Sequence, residues 1–335
     1  MNKRSEYLDC LRGIVMLMVV FSHTCGEFCL NCKDFFWLNR IFSIVMLPGF
    51  FFISGWFTAT YNTLRGGGVI IKRLRTMFVP TILMFLIYVF FYWGNMDNLS
   101  HCISGEYKFG YWFTFALFLM NLLHWGTSWT INCFNKISDK IYIASLICIT
   151  VLLVLLKDWD WNHNEALLAR WFSLRLVAMY FPFYVLGICC KKWESFFHKI
   201  INNEYVVALM IIVFSAGLLK QNGGFYFGTL MGVVGIFLLY RLVFLYQDVF
   251  SEKTKVGRQL CIIGRNTLPI YLIHYFFFLG LKLPEVGINI DMHTQWGILT
   301  IVASFLTLLI VYGSLGITKL LSLSKPLSQI LIGVK

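Results

Sequence analysis

The stretch Tyr7–His23, YLDCLRGIVMLMVVFSH, has the length and apolarity of a membrane helix, yet it holds an aspartate, an arginine and a histidine. Asp9 and Arg12 are three residues apart, and Arg12 and His23 are eleven apart, close to three whole turns. At about 100° per residue, Arg12 and His23 return to within roughly 20° of one face, about 16 Å apart along the helix axis. Met16 and Val19 lie between them on that stripe. An ionisable group at mid-bilayer costs roughly 3 kcal/mol or more, so this face must look into the protein or into a wet cavity. Asp9 is expected to pair with Arg12.

The rest of the chain sets that helix in a membrane bundle. Of 335 residues, 59% are hydrophobic and 13% charged, and the mean hydropathy is +0.73. A soluble core of this size would need a more polar exterior. The predicted fold class is all-α: a polytopic membrane protein of about ten transmembrane helices. The spans run near 8–26, 41–61, 77–94, 111–125, 140–156, 171–190, 205–220, 225–247, 261–281 and 296–318, the fourth short enough to be tilted or partly re-entrant. Of the 28 Lys and Arg residues, nineteen fall on one side of these spans, eight on the other, and Arg12 within the first. The positive-inside rule then places both termini in the cytoplasm. The net charge of +12 is absorbed by that asymmetry and does not point to nucleic acid. The basic N-terminus is not read as a signal peptide, because Asp9 and Arg12 interrupt the apolar run and no small-residue cleavage pattern follows. Connections are too short for a second folded domain, so residues 1–335 read as one membrane-embedded domain.

Several further stretches carry two readings each. Pro48-Gly49-Phe50-Phe51-Phe52-Ile53-Ser54-Gly55-Trp56 places small residues among aromatics, which suits close helix packing. Arg65-Gly66-Gly67-Gly68 and Lys72-Arg73-Leu74-Arg75, followed by Pro80, are either positive-inside charge or a phosphate-binding cluster. Trp112, in Tyr111-Trp112-Phe113-Thr114-Phe115-Ala116-Leu117-Phe118, fits an aromatic belt. Arg170 can snorkel to the interface, while Arg175, a turn deeper, needs an ion pair or holds a substrate. His124 reads as interfacial. Tyr271 and His274, in Gly264-Arg265-Asn266-Thr267-Leu268-Pro269-Ile270-Tyr271-Leu272-Ile273-His274, are one turn apart on one face. Cys29 and Cys32 form a lone CxxC; with Cys25 and Cys102 they fall on the outer side, where disulfides are compatible with the compartment. No metal site is read.

Arg12 and His23, with ten residues between them and Leu8-Asp9 ahead, resemble the first helix of the acyltransferase-3 family of integral-membrane O-acyltransferases. Phe51-Phe52-Ile53-Ser54-Gly55-Trp56 is similar to that family's FF-x-SG-[FY] stretch, and the basic run before Pro80 has a counterpart there. Trp112-Phe113-Thr114-Phe115-Ala116-Leu117-Phe118 is similar to WFL-x-ALF, with Thr114 departing from the usual leucine. Gly264 to His274 resembles the G-[KR]-[NS]-[ST]-L-x-IYL-x-H ending. The matches come in the family's order from Tyr7 to His274.

The resemblance implies transfer of an acyl group, most often acetyl, from cytoplasmic acyl-CoA to a hydroxyl of an extracytoplasmic carbohydrate or lipid-linked glycan. It implies a multi-pass protein of the cell membrane with no bound cofactor. Arg12, Lys72, Arg73 and Arg75 would then meet the donor's phosphates and His23 would serve as general base, with an acyl-imidazole on His23 as a variant. Ser54, Trp112, Arg175, Tyr271 and His274 would line the cavity. The competing reading is a glycan or lipid flippase, although the paired, broken half-helices usual in transporters are not visible. The acceptor and the oligomeric state are not encoded in any motif.

Overall fold

The computed structural model describes residues 5–28, 37–59, 68–94, 99–133, 139–157, 170–220, 223–279 and 292–333, and every regular element among them is helical. Fifteen α-helices follow in order: α1 Glu6–Phe28, α2 Trp37–Ala59, α3 Gly68–Arg73, α4 Val79–Trp93, α5 Leu99–Ser104, α6 Trp112–Cys133, α7 Asp139–Leu156, α8 Leu174–Lys192, α9 Glu194–Ile201, α10 Glu204–Leu219, α11 Gly224–Leu245, α12 Lys255–Arg265, α13 Thr267–Leu279, α14 Met292–Leu321 and α15 Lys325–Leu331. A π-turn, Leu74–Phe78, joins α3 to α4. Among the described residues, seven helical segments are long and apolar enough to cross a membrane, or eight if the bent pair α9–α10 is one span. The chain is a multi-pass helical membrane protein.

Three predicted spans take a different form. The stretch predicted at 261–281 is two helices. α12 is amphipathic, with Leu260, Cys261 and Ile263 buried and Arg258, Gln259 and Ile262 exposed. Asn266 ends it: its N–H reaches back to Ile262 and Ile263, and its side-chain amide donates to the Ile262 carbonyl at 2.8 Å. The same residue's carbonyl accepts from Ile270 N–H, so the 13-residue α13 begins at once. The stretch predicted at 111–125 continues to Cys133 as the 22-residue α6. The stretch predicted at 205–220 is preceded by α9, with a bend of 71° between the two helices. Asn203 makes that bend, its Oδ1 accepting from the N–H groups of Tyr205 and Val206 at the start of α10.

The chain divides into two compact units, residues 1–53 with 193–319, and residues 54–192 with 320–335. In the first unit α1 lies at the centre. Leu11, Val15, Met16, Val19 and Val20 are buried, so the stripe between Arg12 and His23 faces protein. Phe21 and Cys25 pack with Ala303 of α14 and with Leu38 and Phe42 of α2.

In the second unit α2 continues past Ser54 and crosses α8 where Gly55 allows it: a Cβ there would stand 1.9 Å from the Tyr184 carbonyl oxygen. The π-turn before α4 has a local cause. Pro80 has no N–H to give the preceding turn, and Val79 N–H reaches back five residues to Leu74.

Candidate active site

The site is built on the crossing of α1 with α12. A Cβ on Gly264 would lie 1.8 Å from the Asp9 carbonyl oxygen, and one on Gly13 would lie 2.2 Å from that of Leu260. Two glycines therefore let the helix backbones touch. That contact brings Cys10 Sγ to 3.2 Å from Cys261 Sγ, and Arg265 Nε donates to Asp9 Oδ2 at 2.9 Å. Asp9 is fully buried. Arg265 also pairs with Glu252, whose N–H donates to Glu6 Oε2 at 3.0 Å. Asp9 thus has Arg265, from a helix far along the chain, as an ion-pair partner. Arg12 itself is half-buried on α1.

The other end of α1 meets α13. His23 Nε2 lies 2.9 Å from the Tyr275 hydroxyl. The His23 ring centroid is 5.4 Å from that of His274, and the His274 and Tyr275 centroids are 4.0 Å apart. His274 is fully buried, and its Nδ1 lies 2.7 Å from the Tyr271 carbonyl and 3.1 Å from that of Ile270. Carbonyls only accept, so Nδ1 carries the proton and Nε2 presents a lone pair. Among the described residues that Nε2 is buried without a hydrogen-bond partner. Two imidazoles and a phenol thus converge, with one nitrogen held ready to accept a hydrogen bond. Beside them, Thr307 of α14 donates to Thr24 at 3.4 Å.

Tyr271 is buried 6.1 Å from His274, centroid to centroid. The remaining predicted residues belong to the second unit. Lys72 and Arg75 are exposed, whereas Arg73 turns inward and donates to Thr58 Oγ1 at 3.4 Å. Neighbouring residues of the basic run therefore face different ways. The Ser54 carbonyl accepts from Thr58 Oγ1 at 2.8 Å. Trp112 is buried and stacked on Tyr180 at 5.5 Å. Arg175 Nη1 pairs with Glu106 Oε2 at 3.3 Å, its side chain 49% exposed. His124 is buried, with its Nδ1 against the Tyr142 hydroxyl. Cys29 and Cys32 lie outside the described residues.

Four features were not singled out in the sequence. Tyr275 follows the predicted His274 directly, but an aromatic run (Tyr-Phe-Phe-Phe) hid it. Arg265 sat inside a motif without an assigned partner. Gly13 was one glycine in an apolar helix. Lys108, in the loop before α6, is 3% exposed, and its Nζ donates to the carbonyls of Gly105 and Arg170 and to Ser173 Oγ. Burial pushes its ammonium down to about 8.

These features define a multi-pass helical membrane protein with a histidine–tyrosine cluster inside its bundle, anchored by an ion pair at the far end of the same helix. Residues 5–315 match the acyltransferase-3 family, described as an acyltransferase domain, so the chain belongs to that family and is a membrane acyltransferase. Nodulation protein NolL of Mesorhizobium japonicum is similar: 22% identical over 330 residues, covering 85% of this chain and 80% of that protein. No solved structure matches the chain.

Proposed function

We propose that this protein is an O-acyltransferase of the cell membrane, moving an acyl group, acetyl in the first instance, from cytoplasmic acyl-CoA to a hydroxyl of an extracytoplasmic carbohydrate or lipid-linked glycan. The observation that carries the reading is the meeting of His23 with Tyr275 and His274 on the helix that also bears Arg12. A neutral imidazole in that setting takes the proton of the acceptor hydroxyl as the oxygen attacks the thioester carbonyl. The tetrahedral intermediate then collapses, the carbon–sulfur bond breaks, and the proton passes from His23 to the departing thiolate. The His274 lone pair accepts a hydrogen bond from the acceptor or from the pantetheine amide. Arg12 supplies a guanidinium for the donor's phosphates. Both termini are cytoplasmic in this reading.

The test is mass spectrometry of surface glycans from cells with and without the protein, together with acyl-CoA consumption by purified protein in lipid nanodiscs. The expected result is an acyl mass increment on one glycan in the presence of the protein, with coenzyme A released in equal amount. Unchanged glycans and no thioester consumption would sink the proposal.

A further inference from the structure

We infer that Tyr275 is a positioning residue for His23: its hydroxyl oxygen accepts from His23 Nε2–H and so makes Nδ1 the nitrogen that takes the proton. The inference rests on the proposed role of His23 as base and names the group that orients it.

The geometry supplies the first half of the argument. Tyr275 OH stands 2.9 Å from His23 Nε2, the two rings are 5.0 Å apart at 61°, and the tyrosine is 8% exposed. The phenol is held on α13, whose neighbouring His274 is fixed by two backbone carbonyls. A rigid element therefore presents the oxygen to the imidazole.

Chemistry supplies the second half. Either group can donate while His23 is neutral. When His23 has taken the proton of a hydroxyl, both ring nitrogens carry hydrogens, and the phenol oxygen can only accept. If Tyr275 donated to Nε2 beforehand, proton uptake at that nitrogen would break the bond at the moment charge develops. If Nε2–H donates from the start, the proton enters at Nδ1, the bond survives, and it strengthens as the ring becomes cationic. The second arrangement needs no reorganisation, which is the logic of a base held in one tautomer by a third group. Proton balance is simple: one proton moves from the acceptor hydroxyl to Nδ1, and later from Nδ1 to the thiolate. The Nε2 proton and the phenol proton stay in place.

The surroundings of His23 bear on a pH test. The titratable groups that face it from α13 are His274 and Tyr275. Residues 303–307 of α14, which meet α1 there, contain none. On α2, Arg40 gives its guanidinium to the Lys220 carbonyl. On α1 itself Glu27 lies one turn on and is exposed. Tyr7, Asp9 and Arg12 lie toward the opposite end, with Tyr240 of α11 against Tyr7 and Arg265 of α12 against Asp9.

The experiment is the pH profile of kcat for purified wild type and Tyr275→Phe in nanodiscs, with acetyl-CoA as donor and the glycan identified by mass spectrometry as acceptor. A base needs its neutral form, so activity falls on the acid side. Loss of an oxygen that stabilises the imidazolium should lower kcat about 10- to 100-fold, the worth of one hydrogen bond to a charged group, and should leave KM for the donor unchanged. It should also move the acid limb to lower pH. A limb that moves to higher pH means that Tyr275 donates and overturns the inference; an unmoved limb leaves a packing role and also overturns it. The second measurement reads the tautomer in the wild type itself: ¹⁵N spectra of the histidine-labelled protein, with the His23 signal assigned by its loss in His23→Gln. An Nε2–H tautomer is expected, and an Nδ1–H tautomer refutes it. The two proposals fail separately. A fully active His23→Gln enzyme removes the base, whereas an inactive His23→Gln beside an unchanged Tyr275→Phe removes the positioning role alone.

Discussion

Near the start of α1, fully buried Asp9 meets Arg265, which Glu252 also holds; fourteen residues later His23 meets groups that carry no fixed charge, the Tyr275 phenol and the His274 ring. Both ends place a polar group inside an apolar bundle, and they satisfy it differently. At the Asp9 end a carboxylate and a guanidinium stabilise each other, and removing the guanidinium takes a counter-ion from a buried carboxylate. At the His23 end the partners are neutral: the phenol can donate or accept, and His274 Nε2 can accept. A proton can enter and leave there without breaking an ion pair. The ionic end is therefore suited to anchoring the helix, and the neutral end to chemistry.

The largest expected effect lies at the neutral end. His23→Gln keeps a polar group of similar reach but cannot take a proton at neutral pH. Turnover of acyl-CoA should fall about 10² to 10⁴-fold, the usual worth of a general base, with donor KM retained. Substantial activity in this variant would show that His23 satisfies a hydrogen bond and no more, and His274 would become the candidate base.

Next comes the crossing that anchors the ionic end. Gly264→Ala would put a methyl 1.8 Å from the Asp9 carbonyl oxygen, a backbone atom that cannot turn aside. We predict a loss of about 3 kcal/mol, at the upper end for overpacking, seen as a lower melting temperature of the purified protein. Gly68→Ala is the control, because nothing stands within 4 Å of a Cβ there. Equal melting temperatures for the two would mean that α1 and α12 do not touch as described.

Arg265→Gln should weaken the protein less. A fully buried pair loses roughly 3–5 kcal/mol when one partner goes, but the Arg265 side chain is 36% exposed and water can replace part of the guanidinium. About 2 kcal/mol is expected. Melting temperatures should also show Arg265→Gln and Glu252→Gln to be non-additive, because both change the same network. Strict additivity would separate the two contacts.

How much of this was legible in the sequence differs between the two ends. His23 and Arg12 stood out because an ionisable residue in an apolar run is costly enough to demand a reason. His274 stood out by its motif. The pairing of Asp9 with Arg265 did not, because it depends on how closely α1 approaches a helix some 250 residues away in the chain, and that distance is set by Gly13 and Gly264. That residues 261–281 are not one span has a local cause. Hydropathy registers the apolar residues of α12 and α13 together, whereas the break is made by the hydrogen bonds of one residue, Asn266. Tyr275 was hidden for a different reason: in an aromatic run, composition cannot tell which hydroxyl meets an imidazole.

The smallest effect concerns an exposed ion pair, which calibrates the buried one. Arg175 was expected either to pair or to hold a substrate, and it pairs with Glu106 at 3.3 Å with its side chain half exposed. Exposed pairs contribute about 0–1 kcal/mol, because solvent screens the charges and two long side chains lose freedom. Arg175→Gln should therefore move the melting temperature by less than Arg265→Gln does, and raised salt should shrink the difference further. The kinetic reading is separate from the stability reading. If pairing is the whole role of Arg175, Arg175→Gln and Glu106→Gln should behave alike, with kcat and the acceptor KM near wild type. If Arg175 contacts the acceptor, its variant alone should raise the acceptor KM while Glu106→Gln does not, because the guanidinium remains and has lost its competitor. We expect the first pattern, since a guanidinium already engaged by a carboxylate must give up that contact before it can hold a sugar hydroxyl. A selective rise in acceptor KM for Arg175→Gln would place the acceptor against the start of α8.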